Sequence, residues 1–212
     1  MADSSITPTL REFVEQSVLP RYEAYDAAHR RDHVERVIER SLALAAHYDV
    51  RADMVYAVAA WHDLGLCYGR ETHHLTSAQM LRCEQRLGEW FSAEEIVQMA
   101  EAIEDHRASS DHSPRSIYGL IVAEADRQIV PEVVMRRTVQ YGLAHYPLLS
   151  REQQWQRFVD HLHEKYYYGG YLKLYIPHSD NAARLAQLRQ LIDDKELLRK
   201  SFDEIFERLT GE

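Results

Sequence analysis

The sequence predicts an all-α fold, and three observations support this prediction. Apolar residues recur at the three-to-four-residue spacing of amphipathic helices along almost the whole chain. No stretch alternates β-branched and polar residues over the length of a strand. Helix-start signals are present, such as Ser92 with Glu95, which have the spacing of a capping box. Because the length suits one hydrophobic core, we expect a single-domain helical bundle over residues 1–212.

The N-terminal part contains three predicted helices. The first covers residues 9–20 and ends at a proline, which removes a backbone donor. The second covers residues 28–47 and has its apolar residues on one side. The third covers residues 53–63 and is apolar on nearly every face, which is typical of a helix at the centre of a bundle. Gly65 suits the end of this central helix.

Further helices are predicted along the rest of the chain. Between residues 166 and 179 a segment with two adjacent glycines indicates irregular structure. The predicted helices cover residues 75–87, 92–107, 114–131, 132–146, 150–167, 181–193 and 194–209.

Charge and cysteine content exclude several classes of partner. The formal net charge is -9 and the lysines are scattered, which argues against a nucleic-acid polymer as partner. No run of apolar residues is long enough to cross a membrane, and no secretory leader precedes the first helix. Cys67 and Cys83 lack the spacing of a metal site and make no disulfide framework. We therefore expect a cytoplasmic protein without a membrane partner, and self-association into a homo-oligomer stays open.

His62 and Asp63 are the most informative residues of the chain. They follow the apolar central helix directly, so both are expected to be buried. A buried, unpaired carboxylate costs several kcal/mol or so in a protein interior. A divalent cation compensates that charge directly, so this pair indicates a metal site.

Three further residues extend the candidate site. His33 lies one turn before Val37, His106 continues an apolar stripe, and Asp126 lies on another apolar stripe. Taken singly, either histidine is more often an ordinary core or surface residue than a metal ligand. Asp126 alone suits a helix cap or an arginine pair as well as it suits a metal. Together, these residues and the His62-Asp63 pair place a metal-capable side chain on each of four predicted helices, and all of them face one core.

The order His33, His62-Asp63 and Asp126 resembles the signature of the HD-domain superfamily of metal-dependent phosphohydrolases. The strings DAAHRRDHVERV, AAWHDLG and IVAEADR resemble its opening helix, central motif and last ligand. The resemblance covers residues 26–127 as an HD core, with residues 128–212 as a C-terminal helical extension packed on it. It implies that these four residues hold a first metal ion, with Asp63 able to bridge to a second.

Some members of the superfamily hold two metal ions. Their additional ligands resemble His73, or its neighbour His74, together with His106 at the end of the next helix. The histidines at 73 and 74 suit an exposed loop pair equally well. Candidate holders of phosphate oxygens lie near these residues or in resembling segments, although each also suits an ordinary surface cation: Arg30, Arg36, Arg107 and Lys165.

The resemblance implies a phosphohydrolase that attacks a small phosphate ester or a nucleotide with a metal-activated water, with Asp63 and His62 as its central catalytic residues. One or two ions of Mn, Fe, Mg, Zn, Ni or Co are expected. The segment LGLCYGRE lacks the acidic pair of guanosine-tetraphosphate hydrolases, and the chain lacks the GYP motif of cyclic-dinucleotide phosphodiesterases. The alternatives are a di-iron oxygenase of the same fold and a non-catalytic module that senses a metal or a nucleotide.

Overall fold

The computed structural model describes residues 5–24 and 31–211. Within these ranges the regular elements are all helical and none is a strand, which confirms the all-α prediction. The chain forms two compact units, Met1–Asp126 and Arg127–Glu212. The packing of residues 128–212 onto the core as part of one domain stays a prediction.

The first unit contains six α-helices and four shorter helical segments among its described residues. The α-helices are α1 (Pro8–Phe13), α2 (Arg31–Ala45), α3 (Ala52–Trp61), α4 (His73–Cys83), α5 (Ala93–Glu104) and α6 (Ile117–Asp126). The shorter segments are a π-helix at Val14–Val18 and 3-10 helices at Leu19–Ala24, Leu64–Tyr68 and Gln85–Glu89.

Helix α3 is the centre of the first unit. Its residues from Asp53 to Trp61 are all buried, and it packs against α2, α5 and α6. Two contacts attach the N-terminal segment to it. The backbone N–H and hydroxyl of Thr7 donate to the Asp53 carboxylate at 2.8 and 2.7 Å. The Tyr22 hydroxyl donates to the Ala60 carbonyl at 2.9 Å. These contacts give the helix that precedes His62 a fixed position.

Several predicted helix ends differ from the structure. Helical structure continues past Pro20 as a 3-10 helix, because proline is tolerated in the first turn of a helical segment. Gly65 does not end α3, which stops at Trp61, but lies inside the next 3-10 helix. Helix α5 ends at Glu104 rather than at residue 107, and α6 begins at Ile117 rather than at Pro114. The predicted start of α2, at residue 28, lies outside the described residues.

The second unit contains four α-helices: α7 (Pro131–His145), α8 (Arg151–Tyr166), α9 (Asn181–Asp193) and α10 (Lys195–Thr210). Ser150 and Gln153 form a capping box that starts α8. Phe158 and Phe202 are fully buried, with ring centroids 5.3 Å apart, and form part of an aromatic core between α8 and α10.

None of the helices in the described ranges has the length and apolar character needed to cross a lipid bilayer.

Candidate metal centre

Six metal-capable side chains come from three helices and from the turns that follow two other helices. His33 is near the start of α2, and Asp126 is the last residue of α6. His73 is the first residue of α4. His62 and Asp63 directly follow α3, and His106 lies two residues beyond α5. The first unit therefore brings together the residues predicted from the sequence.

The first donor group consists of His33, His62 and Asp63. The Nε2 atoms of the two histidines are 3.4 Å apart. Asp63 Oδ2 lies 3.6 Å from His33 Nε2 and 3.3 Å from His62 Nε2. Asp126 joins this group through Oδ1, which is 3.3 Å from His33 Nε2 and 3.8 Å from His62 Nε2. His33, His62 and Asp63 thus have mutually close donor atoms, and Asp126 lies beside the two histidines.

The second donor group consists of Asp63, His73 and His106. The Nε2 atoms of His73 and His106 are 3.3 Å apart. Asp63 Oδ1 lies 3.4 Å from His73 Nε2 and 3.6 Å from His106 Nε2. All three side chains are buried. Asp63 is therefore common to both groups, with Oδ2 facing the first and Oδ1 facing the second.

Three of the rings are oriented by the same type of hydrogen bond. The Nδ1 atoms of His62, His73 and His106 lie 2.6 to 2.7 Å from the carbonyl oxygens of Ala59, Arg70 and Ile103. Because a carbonyl only accepts, each Nδ1 must carry the proton and donate it. Each Nε2 is then left with a lone pair that faces its donor group, which is the tautomer that a metal requires.

The donor spacings fit a shared cation in each group. Metal–nitrogen bonds of about 2.0–2.1 Å at a tetrahedral angle separate two ligand nitrogens by about 3.4 Å. The histidine pairs are separated by 3.4 Å in the first group and 3.3 Å in the second. Two imidazole lone pairs that face each other this closely repel unless a cation or a proton lies between them. Both donor groups could therefore hold a metal ion.

The two carboxylates are held in their charged form. Burial raises the pKa of Asp63, but the neighbouring His62, His106 and His33 outweigh burial and keep that pKa well below its usual range. Burial also raises the pKa of Asp126, but His33 outweighs it and lowers the pKa. Ionised carboxylates are the form that binds a cation, so the electrostatics suit a metal site.

The histidines of the two groups differ. Burial lowers the pKa of His33, but Asp126 and Asp63 outweigh it and raise the pKa to about 9. Burial and the charge of His106 lower the pKa of His73 to about 4. The pKa of His106 is raised, because Asp63 outweighs the effect of burial. The first group therefore provides a more negative environment than the second.

Gly65 sets the position of the second group. A Cβ atom at this residue would lie 2.3 Å from the His73 carbonyl oxygen and 2.6 Å from the Ser77 nitrogen. The Gly65 N–H donates to the Ser77 hydroxyl at 2.8 Å. The start of α4 thus packs directly on the segment that follows Asp63, which brings His73 to the Asp63 carboxylate.

An ion pair beside His106 was not predicted from the sequence. Buried Asp105 accepts from the Arg115 backbone N–H at 2.7 Å and from its guanidinium at 2.8 to 3.1 Å. The two residues are ten positions apart and close the intervening loop at its base. No spacing rule in the sequence signals such a pair, because it depends on how the loop folds back.

The remaining candidates lie elsewhere. His74 is outside both donor groups, and its ring centroid is 5.6 Å from that of His73. Arg107 donates to the Glu71 carbonyl at 2.7 Å.

Arg36 is exposed and pairs with Asp32 on its own helix at 2.9 Å. Lys165 belongs to the second unit, where its Nζ lies 5.2 Å from the centroid of the Tyr166 ring. Arg30 lies outside the described residues.

Comparison with known families agrees with this geometry. The family model of the HD domain matches residues 30–128. Residues 30–128 are therefore similar to the HD domain, over slightly less than half of the chain. All six donor residues fall within the matched HD domain. HD domains bind divalent metal ions, and members of the superfamily are generally hydrolases.

A solved structure is also similar to the chain. The structure is a predicted HD superfamily hydrolase from an uncultured Thermotogales bacterium, which is 21% identical. The match covers 72% of this chain and 84% of that chain, with a TM-score of 0.49. No curated protein matches the sequence.

Proposed function

We propose that the protein is a two-metal phosphohydrolase that acts on a small phosphate ester or a nucleotide. The observation that carries this proposal is the carboxylate of Asp63, whose two oxygens face two separate donor groups. A carboxylate in this position can bridge two cations at the short separation that two-metal hydrolases use. The match of residues 30–128 to the HD domain supports the hydrolase class.

Bound divalent cations would lower the pKa of a water molecule and would hold the oxygens of a phosphoryl group. The residues of the chain orient the metal ligands and leave one side of the centre accessible to substrate. The carbonyl partners of His62, His73 and His106 keep each ring turned toward the centre. The side chain of Asp126 is 30% exposed, whereas those of His62 and Asp63 are at most 7% exposed. We therefore propose that substrate reaches the centre on the side of Asp126.

Phosphate groups of the substrate that the metal ions do not hold need further donors. Arg107 is the best-supported candidate, because it follows His106 directly and makes no ion pair with a described carboxylate. Arg36 is supported less well, since its guanidinium pairs with Asp32. For Arg30 and Lys165 the role in phosphate binding stays a prediction from the sequence.

The ligand types limit the identity of the metal. Imidazole together with carboxylate suits Mn, Fe, Co, Ni and Zn. Mg prefers an all-oxygen environment, so it is the least favoured of the expected ions. A cytoplasmic location stays a prediction, and self-association into a homo-oligomer stays open.

A di-iron oxygenase is the second candidate function. The observation that favours it is the richness in imidazole, because nitrogen donors from His33, His62, His73 and His106 accompany only the two carboxylates. This donor set suits iron as well as it suits a hydrolytic metal pair. A sensing module without turnover is a third candidate, which predicts tight binding of metal or nucleotide alone.

A metal-reconstitution screen separates these candidates. The purified protein is stripped of metal, reloaded with Mn²⁺ or Mg²⁺, and assayed for phosphate release from nucleotides, cyclic nucleotides and sugar phosphates. The ferrous protein is assayed in parallel for oxygen consumption with the same compounds. We expect phosphate release that depends on added metal. Oxygen consumption without phosphate release would instead identify an oxygenase, and metal binding without either reaction would identify a sensor.

A further inference from the structure

A pocket of about 610 Å³ lies in the first unit beside the second donor group. Two of its lining residues directly follow proposed metal ligands in the sequence: His74 follows His73, and Arg107 follows His106. The loop 109–115 forms another wall. We call this cavity the loop pocket. Its position makes it a neighbour of the metal centre, although neither His74 nor Arg107 belongs to the donor groups.

Arg107 brings a positive charge to the loop pocket and forms no ion pair with a described carboxylate, whereas Glu104 and Asp105 of the same lining pair with Arg115. The hydrogen bond of Arg107 within the described residues is to the main-chain carbonyl of Glu71, at 2.7 Å. The other arginine of the pocket differs, because Arg115 is bound to Asp105 and Glu104 at 2.7 to 2.8 Å. Arg107 therefore keeps most of its guanidinium donors for another acceptor.

His74 adds an imidazole to the lining of the loop pocket. Its Nδ1 atom is buried and makes no hydrogen bond within the described structure. Buried polar atoms in proteins are nearly always hydrogen-bonded, so an isolated one points to a missing partner.

The wall of the loop pocket is preorganised. The Asp105 carboxylate accepts from the backbone and the guanidinium of Arg115, which closes the loop at its base. The same wall provides the hydroxyls of Ser109, Ser110 and Ser113. The acidic side chain on the loop, Asp111, is 98% exposed. An arginine without an ion pair among the described residues, an imidazole and several hydroxyls are groups that recognise a tetrahedral oxyanion.

We propose that the loop pocket binds a phosphate-type oxyanion through Arg107 and His74, and that this oxyanion is a second anionic group of the substrate. The statement about the substrate rests on the proposed phosphohydrolase function. It defines the substrate class as a phosphate ester with another phosphate or carboxylate at a distance from the reacting phosphorus. A free inorganic anion has the same chemistry, so the experiment separates the two sources.

Binding is tested first without metal and without turnover. Inorganic phosphate is titrated calorimetrically into metal-stripped wild-type protein, Arg107→Ala and Arg208→Ala. The last variant removes one positive charge from an exposed position in α10 and is the matched control. We expect saturable binding by the wild type and the control. Arg107→Ala should bind phosphate at least about tenfold more weakly, because it loses a charge-assisted hydrogen bond. Equal binding by Arg107→Ala, or no saturable binding by the wild type, would overturn the oxyanion site.

Folding of Arg107→Ala is checked by thermal melting, and Arg107→Lys keeps the charge if the alanine variant melts early. With lysine we expect intermediate binding, because an ammonium cannot form the paired contacts of a guanidinium. If folded Arg107→Lys binds phosphate no more tightly than Arg107→Ala does, the role of the charge is contradicted.

The substrate statement is tested by kinetics on the metal-loaded enzyme. KM is measured for a bisphosphate and for the monophosphate ester that shares its reacting group. Arg107→Ala should raise KM for the bisphosphate about tenfold more than KM for the monophosphate, with similar kcat ratios. An equal rise in KM for both esters would overturn the assignment of the oxyanion as a second group of the substrate. If phosphate binds in the calorimetric test but the two KM values rise equally, the ligand of the pocket is a free anion. No turnover of any ester would refute the proposed function, while the calorimetric result would still decide the oxyanion site.

Discussion

The two donor groups around Asp63 share a carboxylate but differ in their charge. The first group has Asp126 as a second carboxylate, and the pKa of His33 is raised to about 9. The second group has only Asp63, and the pKa of His73 is lowered to about 4. We infer that the first group binds a divalent cation more tightly, because two negative charges face it. The second group depends more on packing, since Gly65 and α4 bring His73 to the shared carboxylate.

The largest expected effect is that of Asp63→Ala, because this change removes a donor from both groups at once. We expect the purified variant to retain no metal and to show no rise in melting temperature on addition of Mn²⁺, Co²⁺ or Zn²⁺. Metal analysis and thermal melting measure this. Asp53→Ala is the matched control, since that carboxylate is also buried, in the first turn of α3, but accepts hydrogen bonds from Thr7. Normal metal content in Asp63→Ala would show that the centre lies elsewhere.

Asp126→Ala tests the difference in charge between the groups. We expect the affinity of the tighter site to fall by more than about 10–100-fold, which is the loss seen when only an outer-shell partner is removed. The affinity of the weaker site should change much less, because Asp126 contacts His33 and His62 but neither histidine of the second group within ion-pair distance. Competition against a coloured chelator measures both affinities. A selective loss at the weaker site would reverse the comparison.

His73→Ala removes a donor from the second group alone. We expect the metal content at saturation to fall from two ions per chain to one, with the tighter affinity retained. His74→Ala is the control for metal content, because this adjacent histidine lies outside both groups. If His74→Ala loses the second ion and His73→Ala keeps it, the assignment of the neighbouring histidines is wrong.

The smallest of these effects is expected for Gly65→Ala. Its new Cβ would overlap the His73 carbonyl, so α4 must shift, at a cost of about 1–3 kcal/mol in the free energy of unfolding. The second metal should also bind more weakly, whereas the first should be unaffected. Denaturant unfolding and metal titration check both statements. Gly88→Ala is the control, because a Cβ there meets nothing within 4 Å. Equal stability of the two variants would contradict the packing role of Gly65.

The sequence predicts most of the helices because periodic apolar residues and capping signals are local. Ser92 with Glu95 forms the capping box of α5, and α9 spans the expected residues 181–193. Helix ends were less predictable where a proline or glycine has two uses. Pro20 opens a 3-10 helix instead of ending one, and Gly65 permits a close approach of α4 instead of ending α3.

Some residues of the candidate site could be predicted from the sequence more readily than others. His62 and Asp63 stand out because they follow a fully apolar helix, and the family resemblance adds His33 and Asp126. The sequence does not distinguish His73 from His74, because the packing of α4 on Gly65 decides which ring faces Asp63. The ion pair of Asp105 with Arg115 has no sequence signal, because it forms across a loop.

The central claim is that Asp63 bridges two metal ions. X-ray absorption spectroscopy of the protein loaded with two equivalents of Mn²⁺ tests it most directly, because bridged metal pairs lie about 3.5–4 Å apart. We predict a metal–metal scattering shell in this distance range in the wild type and its loss in Asp63→Ala. A wild-type spectrum without that shell, or a shell that persists in Asp63→Ala, would contradict the two-metal centre.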